Sequence, residues 1–229
     1  MLPLDTNEEK EMPSRTDNAI QRDVLEELKW DAAVDARNLG VTVAGGIVTI
    51  TGQVSTYGEN REAERLTEMI PGVKEVIVNM EVVTADAFGD AELGVAVRNA
   101  LSWAAYLPID AVSARVEDGW VTLSGTVHSG FQRQNAENAV QFMRGVKGLT
   151  NAITVANRDA PVADMKANIE SALTRRYDAQ DQHVVVSVDG RIVTLSGTVT
   201  NGWQRYLMRN SAWNAPGVED VRDHMRIVD

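Results

Sequence analysis

Three histidines, His128, His183 and His224, are the side chains best suited to bind a transition metal or to move a proton near neutral pH. They are far apart in the chain and share no metal-ligand spacing, so they read as unrelated surface or half-buried rings. With no cysteine, disulfides, thiolate metal sites and cysteine nucleophiles are excluded. The serines of the S-G-T strings sit in no G-x-S-x-G elbow, and no His or Asp recurs beside them. Gly45-Gly46 lacks the G-x-x-x-x-G-K-[ST] frame of a phosphate loop and opens a strand. The acidic pairs Glu26/Glu27 and Glu8/Glu9 fit a solvated helix face and a tail better than a carboxylate dyad. The expectation is a protein that is not an enzyme, with no cofactor and no metal. One cluster points to binding instead. Arg205 and Arg209, four apart, share a helix face and are flanked by Trp203, Tyr206 and Trp213. Arginine beside such aromatics is what a peripheral membrane helix or a partner-binding helix uses. The alternative is that the aromatics pack on a neighbouring part of the chain while the arginines are solvated.

The 229 residues are 44% hydrophobic and 24% charged, with a formal charge of −11. That composition supports real cores, and its sign argues against nucleic acid as a partner. MLPLDTNEEKEMPSRTDN lacks the basic start and apolar run of a signal peptide, and no stretch approaches a membrane span. The expected location is cytoplasmic as the sequence stands, or peripheral to a membrane or periplasmic if the chain is a trimmed mature form.

The elements that position these residues come in three copies. Taking Gly52, Gly125 and Gly197 as registers, a second glycine follows twenty residues later at Gly72, Gly145 and Gly217, each before a valine. Upstream, Ile20/Val24/Leu28, Leu93/Val97/Leu101 and Met165/Ile169/Leu173 mark one apolar helix face per copy, with Asp17 and Asp90 expected as N-caps and Asp164 opening the third helix. Alternating residues then predict a strand, a glycine turn (44–46, 117–119, 189–191) and a returning strand that the register glycine ends. In the third turn the glycine slides by one position. A second helix spans roughly 58–70, 131–143 and 203–215, stopped by P-G-V or R-G-V with glycine at C′, and a last strand follows. The fold class is α/β (α+β): three αββαβ modules, each a three-stranded mixed sheet with two helices on one face. The expected divisions are a tail at 1–16 and modules at 17–84, 90–156 and 162–229.

The frame V-T-L-x-G-x-V followed by P-G-V, best seen in WVTLSGTV at 120–127 and GFQRQNAENAV at 130–140, resembles the BON domain family over about residues 17–229. The arrangement is similar to triple-copy proteins of the osmotically inducible type. The resemblance implies a small α/β sandwich without catalysis. It also implies association with envelope maintenance, osmotic stress and anionic phospholipid, and in one branch with potassium sensing.

Where the copies differ, function is expected. The first copy holds most of the negative charge and the third is nearly balanced. Trp30 and Trp103 share one position, where the third copy has Arg175; Phe131 and Trp203 share another, where the first copy has Gly58. Trp120 replaces the isoleucines Ile47 and Ile192 on the otherwise polar strand face. Trp30, Trp103, Trp120 and Phe131 are therefore expected at interfaces, joining copy to copy or chain to chain across the open sheet faces. The expected function is a non-enzymatic, stress- and envelope-associated binding protein contacting phospholipid or an envelope protein. A self-assembling homo-oligomer is the alternative, and a small-ligand or ion sensor using clefts between copies is a second.

Overall fold

A computed structural model describes residues 15–84, 89–156, 164–176 and 183–228. Most of the expected tail and most of both expected links lie outside the described residues. The first module runs α1 (Asp17–Trp30), β1 (Leu39–Ala44), β2 (Ile47–Val54), α2 (Tyr57–Glu68), β3 (Glu75–Val82). The second runs α3 (Asp90–Trp103), β4 (Val112–Glu117), β5 (Trp120–Val127), α4 (Gly130–Val140), β6 (Gly148–Val155). The third runs α5 (Met165–Arg176), β7 (His183–Asp189), β8 (Ile192–Val199), α6 (Gly202–Trp213), β9 (Asp220–Ile227). The fold is mixed α+β, with three modules of one topology. In each, the hairpin pair is antiparallel and the returning strand, at the centre, pairs in parallel with the last strand.

Each module closes its own core. Ile20, Val24 and Leu28 of α1 meet Val48 and Ile50 of β2, and the equivalent sets are buried in the other two modules. Alternate residues of the central strand face this core, while the threonine side stays outward. Such self-contained cores let the modules differ on their surfaces without losing their shape.

Three local expectations are corrected. Asp17 and Asp90 are not N-caps. Thr16 caps α1, and Gly89 precedes α3 without a side-chain cap. The carboxylates instead reach the hairpin turn: Asp17 accepts from the Gly45 and Gly46 N–H groups at 2.9 and 3.0 Å, and Asp90 from those of Asp118 and Gly119 at 2.7 and 2.9 Å. Second, the register glycine does not end its strand, which continues two residues further in every module. Gly52, Gly125 and Gly197 have φ of 131°, 137° and 119°, and a Cβ there would stand 1.9–2.0 Å from a carbonyl oxygen at the start of the partner strand. Third, the P-G-V strings are not C′ glycines. Val73, Val146 and Val218 donate N–H to the carbonyls of Ile70, Met143 and Ala215, closing β-turns with Gly72, Gly145 and Gly217 third and at positive φ. Proline then glycine at the two central positions is type II chemistry.

The sliding hairpin glycine also has a physical reason. Both central residues have positive φ in the first two turns (Gly45-Gly46, Asp118-Gly119), as type I′ demands; in the third only Gly190 does, as type II′ demands.

Candidate functional site: the helical ring between modules

The second helix of each module starts with a variant of the capping box, in which the cap side chain takes the N3 amide and the N3 side chain takes the amide just before the cap. Thr56 accepts from Glu59 N–H while the Glu59 carboxylate accepts from Ser55 N–H. Ser129 with Gln132, and Asn201 with Gln204, repeat the arrangement. Glycine follows within two residues of each cap, at Gly58, Gly130 and Gly202, and all three are buried.

These glycines are where the modules meet. Gly58 N–H donates to the Gln141 carbonyl at 2.7 Å, and Tyr57 N–H to that of Val146 at 3.2 Å, so α2 begins on the end of α4. A Cβ on Gly130 would come 2.4 Å from the Trp213 carbonyl oxygen, so α4 begins on the end of α6. A Cβ on Gly202 would come 2.2 Å from the Glu68 carbonyl oxygen, so α6 begins on the end of α2. First onto second, second onto third, third onto first: the head-to-tail contact closes a ring with an approximate threefold axis. Each helix N-terminus faces the C-terminal carbonyls of the next, a favourable alignment of the helix dipoles.

The copies are joined by helix ends, and the outer sheet faces remain open. Aromatics assist at two junctions. Tyr57 packs on the second module's core, and Trp213 packs on the cores of both the second and third. The Arg133 guanidinium lies 4.8 Å from the centre of the Trp213 ring.

At the centre, the three helices line an open depression of about 510 Å³. Arg61 pairs with Glu64, and Arg65 with Glu62. Asn138 accepts from Gln134 and Gln141 at 3.3 and 3.1 Å. Burial, reinforced by Glu64, holds the Glu68 carboxyl above its ordinary range against the pull of Arg209, Arg205 and Arg61. Burial likewise raises the Tyr57 phenol.

The residues expected to bind lipid or a partner are divided among different tasks. Trp203 stacks on Tyr206, with ring centres 5.5 Å apart. Arg205 pairs with Asp223 at 2.8 Å. Arg209 lies 6.0 Å from the centre of the Tyr206 ring and lines the central depression. Trp213 is at the junction just described. The expected interface residues also separate. Trp120 crosses β6, donates its indole N–H to Thr150 at 2.8 Å, and lines a groove with Tyr57 and Met80 of the first module. Phe131 meets Tyr106 edge to face at 5.3 Å and lines a groove beside Trp213. Trp30 and Trp103 point outward, 87% and 89% exposed. His128 on the second module and His183 and His224 on the third are all exposed. Among the described residues no group of three or more His, Asp or Glu side chains is placed to hold a metal. No helix among them is long and apolar enough to cross a membrane.

Gly58, Gly130 and Gly202 are the functional positions that sequence reasoning missed. Their signal was present: glycine in the first two positions of a helix, where a helix former is favoured, marks close backbone approach.

No curated protein matches the chain. Among solved structures, the C-terminal domain of CdsD, the structural protein of the Type III secretion system of Chlamydia trachomatis, is 14% identical over 91% of this chain and 96% of that one, with a TM-score of 0.26. A second CdsD structure is 15% identical over 92% of each chain, also with a TM-score of 0.26. Overlap this low bears on neither arrangement nor function. The BON domain model matches residues 16–84, 89–157 and 162–229. BON domains are associated with membrane- and envelope-related binding. With αββαβ topology in every copy and a family match along almost its whole length, the chain belongs to the BON domain family, as three tandem BON domains.

Proposed function

We propose that this protein is a non-catalytic binding protein that docks on a phospholipid surface of the envelope through the outward tryptophans of α1 and α3. The observation that carries this reading is the near-complete exposure of Trp30 and Trp103, 87% and 89%, at one module position. Beside Trp103, Tyr106 is 62% exposed and Ile109 92%, so the edge offers several apolar side chains at once. Tryptophan favours the membrane–water boundary, where its ring is buried and its N–H stays wet. With a charge of −11, attraction to anionic headgroups is not the driving term; aromatic insertion is. The α6 cluster of Trp203, Arg205, Tyr206, Arg209 and Trp213 is secondary here, because Arg205 and Trp213 already have partners inside the ring.

Co-sedimentation with neutral and with anionic phospholipid vesicles tests this. Binding to both is expected, with weak dependence on salt and loss in Trp30→Ala/Trp103→Ala. Undiminished binding by that folded double variant would refute the site, and absence of binding to both vesicles would refute the function. The exposure of the same edge also favours self-assembly as a second reading. Mass in solution decides it, since a strict monomer at high concentration rules it out.

A further inference from the structure

The central depression contains two charged groups that the ring leaves uncommitted. Of the arginines lining it, Arg61 and Arg65 are paired to carboxylates of their own helix. Arg209, on α6, makes no hydrogen bond or close ion pair among the described residues; it lies by the Tyr206 ring and within electrostatic range of Glu68. Of the carboxylates, Glu62 and Glu64 hold those arginines, and Glu137 accepts from Asn151 at 3.2 Å. Glu68, on α2, makes no direct hydrogen bond or ion pair among the described residues, although Arg209, Arg205 and Arg61 act on it through space. So a guanidinium and a carboxylate line the same depression from different modules without a direct bond between them. Each is carried by a helix whose end is held at a module junction.

We propose that this depression binds a small zwitterion, with the ligand's carboxylate on Arg209 and its ammonium on Glu68. A guanidinium presents paired donors matched to a carboxylate, and such charge-assisted pairs gain strength where water is partly excluded. A simple anion would leave Glu68 unpaired in a site already costly for its charge, and a simple cation would leave Arg209 unpaired. A molecule bearing both charges satisfies both groups at once. The faces of Tyr206, Phe142 and Trp213, which also line the depression, accept the apolar stem between the two charges. Bound this way, the ligand links the first module to the third and stabilises the closed ring. This site is separate from the tryptophan edge, so the two proposals stand or fall independently.

The test uses the full chain and a ruler of ω-amino acids: glycine, β-alanine, γ-aminobutyrate, 5-aminovalerate and 6-aminohexanoate. Thermal unfolding and the indole N–H signals of the five tryptophans are followed by NMR. One length should raise the melting temperature most and shift the Trp213 indole signal, while those of Trp30 and Trp103 stay fixed. The N-acetyl and amide forms of that compound, each lacking one charge, should bind at least tenfold more weakly. Arg209→Gln and Glu68→Gln should each do the same to the parent compound, whereas Trp30→Ala/Trp103→Ala should bind it undiminished. The proposal is overturned if no length shifts Trp213 beyond an ammonium acetate control. It is equally overturned if the one-charge analogues bind as well as the zwitterion, or if Arg209→Gln and Glu68→Gln both bind it undiminished.

Discussion

Gly202→Ala separates a closed ring from three independent modules because the two arrangements give opposite signs. Gly202 is the first residue of α6. In an isolated helix, replacing glycine with alanine is neutral or stabilising by up to about 1 kcal/mol, since alanine loses less backbone entropy. In the ring the new Cβ would lie 2.2 Å from the Glu68 carbonyl oxygen and 2.9 Å from the Glu68 carbonyl carbon. Ordinary carbon–oxygen contact needs about 1 Å more, and the obstacle is backbone at the end of a helix, which cannot rotate aside. Forced overpacking costs about 1–3 kcal/mol, so the variant should lose roughly that amount or open the junction. Gly130→Ala meets the Trp213 carbonyl in the same way, whereas Gly58→Ala meets the Phe142 ring, which can turn, and should be milder. Denaturant unfolding gives the stability, circular dichroism checks that the modules persist, and small-angle scattering reads the shape. A compact chain of this length has a radius of gyration of about 17 Å; Gly202→Ala should exceed the parent value as the ring opens. A Gly202→Ala protein as stable as the parent, with the same scattering curve, would refute the closed ring.

Two further outcomes follow from the site geometry. Asp90→Ala removes the acceptor of two hairpin amides and should destabilise the second module by about 1–2 kcal/mol in denaturant unfolding, with Asp17→Ala acting similarly on the first. Glu68 has a folded pKa raised by burial, so its protonated form favours the folded state; that contribution is fully present below the ordinary carboxylate value of 4.5 and is lost as pH rises through the raised folded value. Glu68→Gln should therefore be more stable than the parent near neutral pH, with the advantage vanishing below 4.5. A stability gain independent of pH would show that charge is not the cause.

The repeat, the topology of each module and the core positions were legible in the sequence because they depend on neighbours in the chain. Apolar period four fixed the first helices, and period two fixed the strands. Glycines twenty residues apart marked where backbone had to approach or turn. Local chemistry misled only where two roles look alike in sequence. An aspartate opening a helix reads as a cap, although Asp17 and Asp90 hold the hairpin turn from across the module. The ring was not legible, because it is made of backbone: amide and carbonyl groups at helix ends, which every helix has whatever its side chains. Nothing in the spacing of Gly58, Gly130 and Gly202 says whose carbonyls they will meet. The aromatics drew attention instead, and the structure sorted them by position. Trp213 went into a junction, Trp120 and Phe131 beside grooves, and Trp30 and Trp103 to the outside. Likewise Arg205 and Arg209 are equals on a helical wheel. Only the fold gives Arg205 a carboxylate on β9 and leaves Arg209 facing the centre. Sequence periodicity determines what each module buries within itself; which surfaces remain once three modules close on one another depends on contacts between residues far apart in the chain, and those only the tertiary structure decides.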